Sequence, residues 1–258
     1  MPERPVLAVV PARWASSRLP GKPLADIGGR PMVRRVWERA SAAGFARVLV
    51  ATDHEGIAGA VRGFGGEAVL TDAACPTGTD RCAAAADAVG WPEEGLVINV
   101  QGDEPFLDPS HLRLLAGAFA DPAVAIATLA VPLTDPLELR SPHVPKVVVA
   151  RSGNALYFSR QPIPHVRDAD PRDWPARHPM RRHVGVYAFR RNALSAVTAL
   201  PPSPLERAES LEQLRWLEHG HAIRVVDVEA SGITVDTPED LARANAAAPA
   251  EDARWAAR

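Results

Sequence analysis

The chain has 258 residues, 47% of them apolar, a formal charge of −2 and two cysteines. That length buries a sizeable core in one α/β domain. The near-zero charge speaks against a general nucleic-acid or membrane-surface binder while allowing a locally positive site. Cys75 and Cys82 are too few for a disulfide framework and lack the companions of a zinc site, so both read as packing residues.

The apolar run Val6–Val10 predicts a first strand buried on both faces. It is too short for a signal-peptide core, and no later run could span a bilayer, so a cytoplasmic protein is expected. The segment Pro11–Leu24 follows as a loop that carries Arg13, Arg18 and Lys22 among small residues and turn formers. Loops at the carboxyl ends of parallel strands are where α/β proteins bind ligands. Arg offers a planar fork of donors and Lys a compact charge, both suited to phosphate oxygens. The spacing is neither a P-loop nor a dinucleotide fingerprint, and the loop reads as a polyphosphate cradle.

Pro31 is expected at the first position of a helix that stops at Gly44. Val48–Ala51 is a second strand, and Thr52 or Asp53 the cap of the next helix. Ala68–Leu70 is a short third strand. Thr77-Gly78-Thr79-Asp80-Arg81 is a loop entering an Ala-rich helix from Cys82. Its hydroxyls and N–H groups suit an anion or a polar edge, and a plain helix cap is the other reading. Leu96–Val100 is the fourth strand, ending in Gln101-Gly102-Asp103-Glu104-Pro105. Strands and helices alternate throughout, which predicts a doubly wound α/β sheet. A carboxylate at Asp103, just past a buried strand and next to a glycine, suits Mg²⁺, which takes one or two protein carboxylates; a turn aspartate is the alternative.

A helix over 110–119 and strands over 124–131, 147–150 and 155–159 continue the pattern. From Arg160 to Arg182 prolines and charges crowd together and apolar periodicity vanishes, predicting a long irregular segment. A strand over 185–189 and a helix over 194–200 follow, and Leu205, Leu211, Leu214 and Leu217 predict one amphipathic helix over 205–218. After a strand over 222–228, Thr237 is expected to cap a last helix with Pro238 at its first position, frayed beyond about Ala247.

Taken together, Pro11-Ala12-Arg13 through Leu24, Ala51-Thr52-Asp53, Thr77–Arg81, Asn99–Pro105, Ala155–Arg160, Arg182–Tyr187, Leu211–Arg215 and Val235–Leu241 resemble one family, the CMP-Kdo synthetases or 3-deoxy-manno-octulosonate cytidylyltransferases. The match runs in order over nearly the whole chain. The resemblance implies a Rossmann-like nucleotidyltransferase fold, a mainly parallel sheet with helices on both faces and a smaller irregular, dimerising part. It implies a single domain over 1–258, with 132–228 carrying the sugar-binding and dimerisation part.

The implied reaction is CTP plus Kdo giving CMP-Kdo and pyrophosphate, with Mg²⁺, for the lipopolysaccharide inner core. Pro11, Ala12, Arg13, Arg18, Lys22, Thr77, Gly78, Thr79, Arg81, Gln101, Gly102 and Asp103 would hold the nucleotide. Arg13, Lys22, Asp103 and Asp236 would serve catalysis, and Asp103 and Asp236 the metal. Gln101, Arg160, His183, Tyr187, Glu212 and Gln213 would surround the sugar. From the residues alone, His183 also reads as surface charge, Glu212 as a solvated helix face and Tyr187 as core. A homodimer is expected, with neither a nucleic-acid nor a membrane partner. Another acid sugar (a sialic acid or 8-amino-Kdo) and a catalytically silent nucleotide-binding module are the rival readings.

Overall fold

The computed structural model describes residues 4–15, 19–230 and 232–256. Arg18, expected in the nucleotide site, lies outside the described residues. The chain divides into two compact units: 1–113 with 190–194 and 232–258, and 114–189 with 195–231.

The first unit is built on four parallel strands. Val6–Ala12 pairs on one side with Leu96–Asn99 and on the other with Arg47–Thr52, which in turn pairs with Glu67–Leu70. Leu7, Ala8, Val9 and Val10 are all fully buried. Side chains alternate between the two faces of a strand, so four consecutive buried residues mean that both faces are covered. The chain starts mid-sheet, winds outward through helices Met32–Ser41 and Glu55–Gly63, and crosses back through Gly78–Ala88 to the other side of the first strand. The order therefore reverses between Val6–Ala12 and Leu96–Asn99. That reversal is the switch point at which open α/β sheets hold ligands.

Several local expectations are corrected. Asp26–Ile27 and Arg30–Pro31 form a small hairpin, and Pro31 is the residue before the helix rather than its first position. Helix Glu55–Gly63 is capped by His54, whose side chain accepts from Gly56 N–H. The next helix starts at Gly78, one turn before the expected Cys82, because Thr77 and Asp80 close a reciprocal capping box. The C-terminal helix runs Pro238–Ala256 instead of fraying near Ala247. Buried Arg35 makes two hydrogen bonds to Asp252, at 2.7 and 3.1 Å, and Arg39 stacks over Trp255 at 4.1 Å. The two cysteines form no disulfide.

In the second unit Ile126–Pro132 pairs antiparallel with Arg181–Arg190 and parallel with Arg224–Asp227. Lys146–Val149 pairs antiparallel with Ala155–Ser159. Phe158, Tyr187, Phe189 and Trp216 form its aromatic core. The segment after Arg160 is irregular as expected, apart from the turn of helix Trp174–Arg177. The expected helix over 205–218 is two helices, Pro204–Glu209 and Gln213–Glu218, broken at Ser210 with φ 51°. Its apolar spacing is helical, but tertiary partners claim the break. Glu209 accepts from the Ser159 hydroxyl and the Arg160 N–H, and the Glu209 and Ser210 carbonyls accept from the Arg160 guanidinium.

Candidate active site

At the switch point of the first unit three loops meet. Gly102 follows Leu96–Asn99, and a methyl group there would stand 2.6 Å from the Pro11 carbonyl oxygen. Only glycine lets these two backbones approach so closely. A methyl group on Gly78 would stand 3.4 Å from the Pro11 ring, so the amino end of helix Gly78–Ala88 also lies against the end of the first strand. Pro11, Ala12, Gly78 and Gly102 are thus brought together, chiefly through backbone.

Lys22 enters through Gly21, whose φ of 66° suits a residue without Cβ. Its ammonium donates to Asp103 Oδ2 at 3.0 Å and to Asp236 Oδ1 at 2.9 Å. Asp103 and Asp236 are 133 positions apart in the chain and reach one cation because Val235 N–H donates to the Asp103 carbonyl at 2.9 Å. Asp236 does not cap the following helix. The Thr237 hydroxyl accepts from Asp240 N–H, and Asp240 takes the N–H groups of Asp236 and Thr237. Lys22, Asp103 and Asp236 are therefore a single charged cluster, each partly exposed. Arg13 is exposed at the mouth of the first loop, and Gln101 is half-buried beside Gly102.

The Thr77 hydroxyl is engaged in its capping box, and Thr79 is buried. Arg81 is also buried and donates to Asp53 at 3.2 Å and to Thr71 at 2.6 Å. Its guanidinium is held inside the protein by these two partners.

The five sugar-side candidates outside Gln101 fall in the second unit. Arg160 donates to the carbonyls of Glu209, Ser210 and Pro142 at 2.6, 3.1 and 2.9 Å. Its guanidinium, expected from the resemblance to face the sugar, donates to main-chain carbonyls here. His183 is buried rather than a surface charge, with its ring edge-on to Phe158. Its Nε2 lies 3.0 Å from the Thr128 hydroxyl, which has the Val186 carbonyl at 2.9 Å as its acceptor. A hydroxyl has one proton to give, so Nε2 carries the hydrogen toward Thr128. Burial holds the imidazole neutral, its pKa lowered to about 3.

Tyr187 lies 5.4 Å from His183, ring to ring, and burial followed by the charge of Glu212 pushes its phenol well above the ordinary range. Glu212 accepts from Arg215 at 2.9 Å. Gln213 is buried, with no hydrogen-bond partner for its Nε2 among the described residues. His183, Tyr187 and Glu212 are thus neighbours, while Arg160 is tied to the Glu209–Ser210 break.

Lys146 was missed by the sequence reading. It is fully buried, and its ammonium donates to the carbonyls of Ser141, Val144 and Arg160. Burial, then the nearby Arg160 charge, lowers its pKa to about 8. The signal for it was a single Lys inside the apolar run Val144–Val149.

Comparison with known proteins bears on this site. A family model described as cytidylyltransferase matches residues 7–223. The chain is 49% identical to the 3-deoxy-manno-octulosonate cytidylyltransferase of Porphyromonas gingivalis, over 93% of this chain and 94% of that protein. It is also 49% identical to the enzyme of the same name from Myxococcus xanthus, over 93% and 95%. A solved CMP:2-keto-3-deoxy-manno-octonic acid synthetase complexed with CTP aligns with a TM-score of 0.88 and 44% identity, covering 96% of this chain and 99% of that one. The 4-diphosphocytidyl-2C-methyl-D-erythritol synthase of Anaerococcus prevotii, 14% identical with a TM-score of 0.60, shares the fold. By the identity and the coverage of these relatives, the chain belongs to the 3-deoxy-manno-octulosonate cytidylyltransferases of the cytidylyltransferase family.

Proposed function

We propose that the protein activates Kdo with CTP, forming CMP-Kdo and pyrophosphate for the lipopolysaccharide inner core. One observation carries the reading beyond family membership: at the sheet's switch point a lysine bridges two carboxylates from distant parts of the chain. A silent nucleotide-binding module has no need of that convergence.

The anomeric hydroxyl oxygen of Kdo attacks the α-phosphorus of CTP. The new O–P bond forms as the bond to the β-phosphate oxygen breaks, pyrophosphate leaves with that electron pair, and the hydroxyl proton passes to solvent. Arg13, Arg18 and Lys22 take the triphosphate and offset the charge that grows on the leaving group. Positioning and electrostatics carry most of such catalysis. The amino end of helix Gly78–Ala88, with Thr77, Thr79 and Gln101, takes the cytidine. Arg81 supports that end from inside, through Asp53 and Thr71.

Asp103 and Asp236 already converge on one cation, which is the donor set that Mg²⁺ takes from proteins before completing its shell with phosphate oxygens and water. Those two residues would hold Mg²⁺, whose chemistry there is to polarise the phosphate and acidify the hydroxyl. Lys22 keeps the two carboxylates together until nucleotide arrives and then serves the triphosphate.

On the sugar side, the buried Gln213 Nε2, without a partner among the described residues, is a donor for a polyhydroxylated ligand. A buried polar group left unpaired costs about 1–3 kcal/mol, a cost that a sugar oxygen relieves. His183 acts as a neutral ring that orients Tyr187 and Thr128, and Arg160 as a brace for the Glu209–Ser210 break beside Glu212. The enzyme works as a cytoplasmic homodimer.

The test is pyrophosphate release from CTP and Mg²⁺ with Kdo, 8-amino-Kdo, N-acetylneuraminate or no sugar. Release with Kdo alone is expected. Release with another acid sugar alone reassigns the substrate, and CTP binding without release under any condition refutes the enzyme. Asp103→Asn should lower turnover about a hundred- to a thousand-fold, and near-normal turnover refutes its role.

A further inference from the structure

Asp53 follows the second strand of the first unit and enters the function argued above only as a partner of Arg81. It does not cap the helix that follows, since His54 does. Its carboxylate is largely buried. Oδ1 accepts from the backbone N–H of Trp14 at 2.9 Å, and Oδ2 accepts from Arg81 at 3.2 Å. Arg81 donates with its other arm to Thr71, and the Thr71 hydroxyl donates to the Thr52 carbonyl at 3.2 Å. One carboxylate therefore ties the loop after the first strand to helix Gly78–Ala88.

The neighbouring residue grips the same loop from another side. The His54 ring stacks on the Trp14 indole, centroids 4.1 Å apart and planes 12° from parallel. Its own orientation is fixed because Nδ1 accepts from Gly56 N–H at 3.1 Å. The far edge of the indole covers Gly21, where an added methyl group would lie 3.6 Å from the ring. Gly21 immediately precedes Lys22, and Trp14 immediately follows Arg13. Trp14 and Gly21, at the two ends of the loop, are thus held by backbone and by an aromatic ring, without use of the Arg13 or Lys22 side chains. A loop rich in cations repels itself, and an anchor that spends none of those cations has a clear physical use.

We propose that Asp53 is a positioning residue for nucleotide binding. By fixing the Trp14 amide and the Arg81 guanidinium in one frame, it presents Arg13 and Lys22 together with the amino end of helix Gly78–Ala88. The inference rests on the reading that these groups bind CTP, and its test has an arm that needs no nucleotide.

That arm is hydrogen exchange of the Trp14 amide in the ligand-free full chain, wild type against Asp53→Asn. Exchange about tenfold faster in the variant, with Arg47–Thr52 unaffected, is expected; unchanged Trp14 exchange overturns the proposal. In turnover, Asp53→Asn should raise the KM for CTP about tenfold, leave the KM for the sugar unchanged and keep kcat within about threefold. A purely structural role would instead lower the active fraction, cutting kcat with the KM for CTP unchanged, and that result also overturns the proposal. Asp53→Glu, which keeps the charge, should lie closer to wild type. Should Asp53→Asn fail to fold, Thr71→Val removes the second acceptor of Arg81. A rise of about threefold in the KM for CTP alone then supports the frame, and no change refutes it. If the wild type turns over no CTP with any sugar, the functional reading fails while Trp14 exchange still decides the role of Asp53.

Discussion

Replacing Lys22 by Met keeps the length of the side chain and removes its charge. The ammonium sits 3.0 and 2.9 Å from oxygens of two carboxylates. At an effective dielectric near 20 each contact would be worth roughly 5 kcal/mol. The carboxylates are 24% and 34% exposed, however, and pairs this wet deliver nearer 1 kcal/mol each after screening. The ammonium therefore stabilises the pair by about 1–2 kcal/mol, which is the amount a divalent cation must overcome to take its place. Without nucleotide, Lys22→Met should bind Mn²⁺ about tenfold more tightly than wild type, since about 1.4 kcal/mol is a factor of ten. Free Mn²⁺ followed by electron paramagnetic resonance during a titration measures this directly. The double variant Lys22→Met with Asp103→Asn should lose the gain. Unchanged or weaker Mn²⁺ binding in Lys22→Met would refute the idea that ammonium and metal share these carboxylates.

Four further outcomes are expected. Burial holds His183 near 3 against an ordinary 6.5, so between those values the unfolded chain takes up a proton that the folded one refuses, and stability falls as pH drops through that window. His183→Gln keeps an N–H for Thr128 and should flatten the urea midpoint against pH there; an unchanged slope would show that His183 is not the group responsible. Lys146, lowered to about 8 from 10.5, gives the same sign higher up: stability should rise with pH between those values, facing Arg160 and Glu209, and Lys146→Met should lack the rise. At neutral pH that variant should also lose about 1–3 kcal/mol, because three part-buried carbonyls lose their donor, and an unaltered urea midpoint would show the cage to be dispensable. Asp252→Asn removes the charge and one of the two acceptors facing buried Arg35 and should cost about 2 kcal/mol, read as a lower melting temperature with the KM for CTP unchanged.

Residues buried on both faces make a parallel strand legible, and strands over Val6–Val10 and Leu96–Val100 were read from their apolar runs for that reason, the second ending at Asn99. A Thr cap was one reading of 77–81, but the Thr77–Asp80 capping box, although only three residues long, went unread, and the helix was started at Cys82 instead of Gly78. What escaped depends on partners far along the chain. The 205–218 stretch has helical spacing throughout, yet it breaks at Ser210 because Ser159 and Arg160, about 50 positions away, claim Glu209. The last helix looked frayed because nothing local holds it, and the Arg35 that does so is 217 positions off. Asp53 read as a helix cap by its type, but its oxygens go to Trp14 and Arg81. In the site, Asp236 gained meaning only through the family resemblance and its pairing with Asp103, which no local pattern near residue 236 could supply.

The two units also divide the physical work. In the first, charge is met with charge: Lys22 with Asp103 and Asp236, and Arg81 with Asp53. Such a surface suits a ligand that brings several negative charges and displaces one partner for another. In the second, three of the residues assigned to the sugar are kept neutral or internally spent, and Glu212 is paired with Arg215. His183 is uncharged by burial, the Tyr187 phenol is held protonated, and the Arg160 fork is turned to carbonyls. A neutral, pre-arranged set of donors and acceptors discriminates hydroxyl patterns, because a sugar lacking one hydroxyl leaves a buried group unpaired. An array of free cations would instead accept any acid. Under the proposed function, selectivity among acid sugars is to be sought in the fixed protonation states of the second unit, and the rate in the charge cluster of the first.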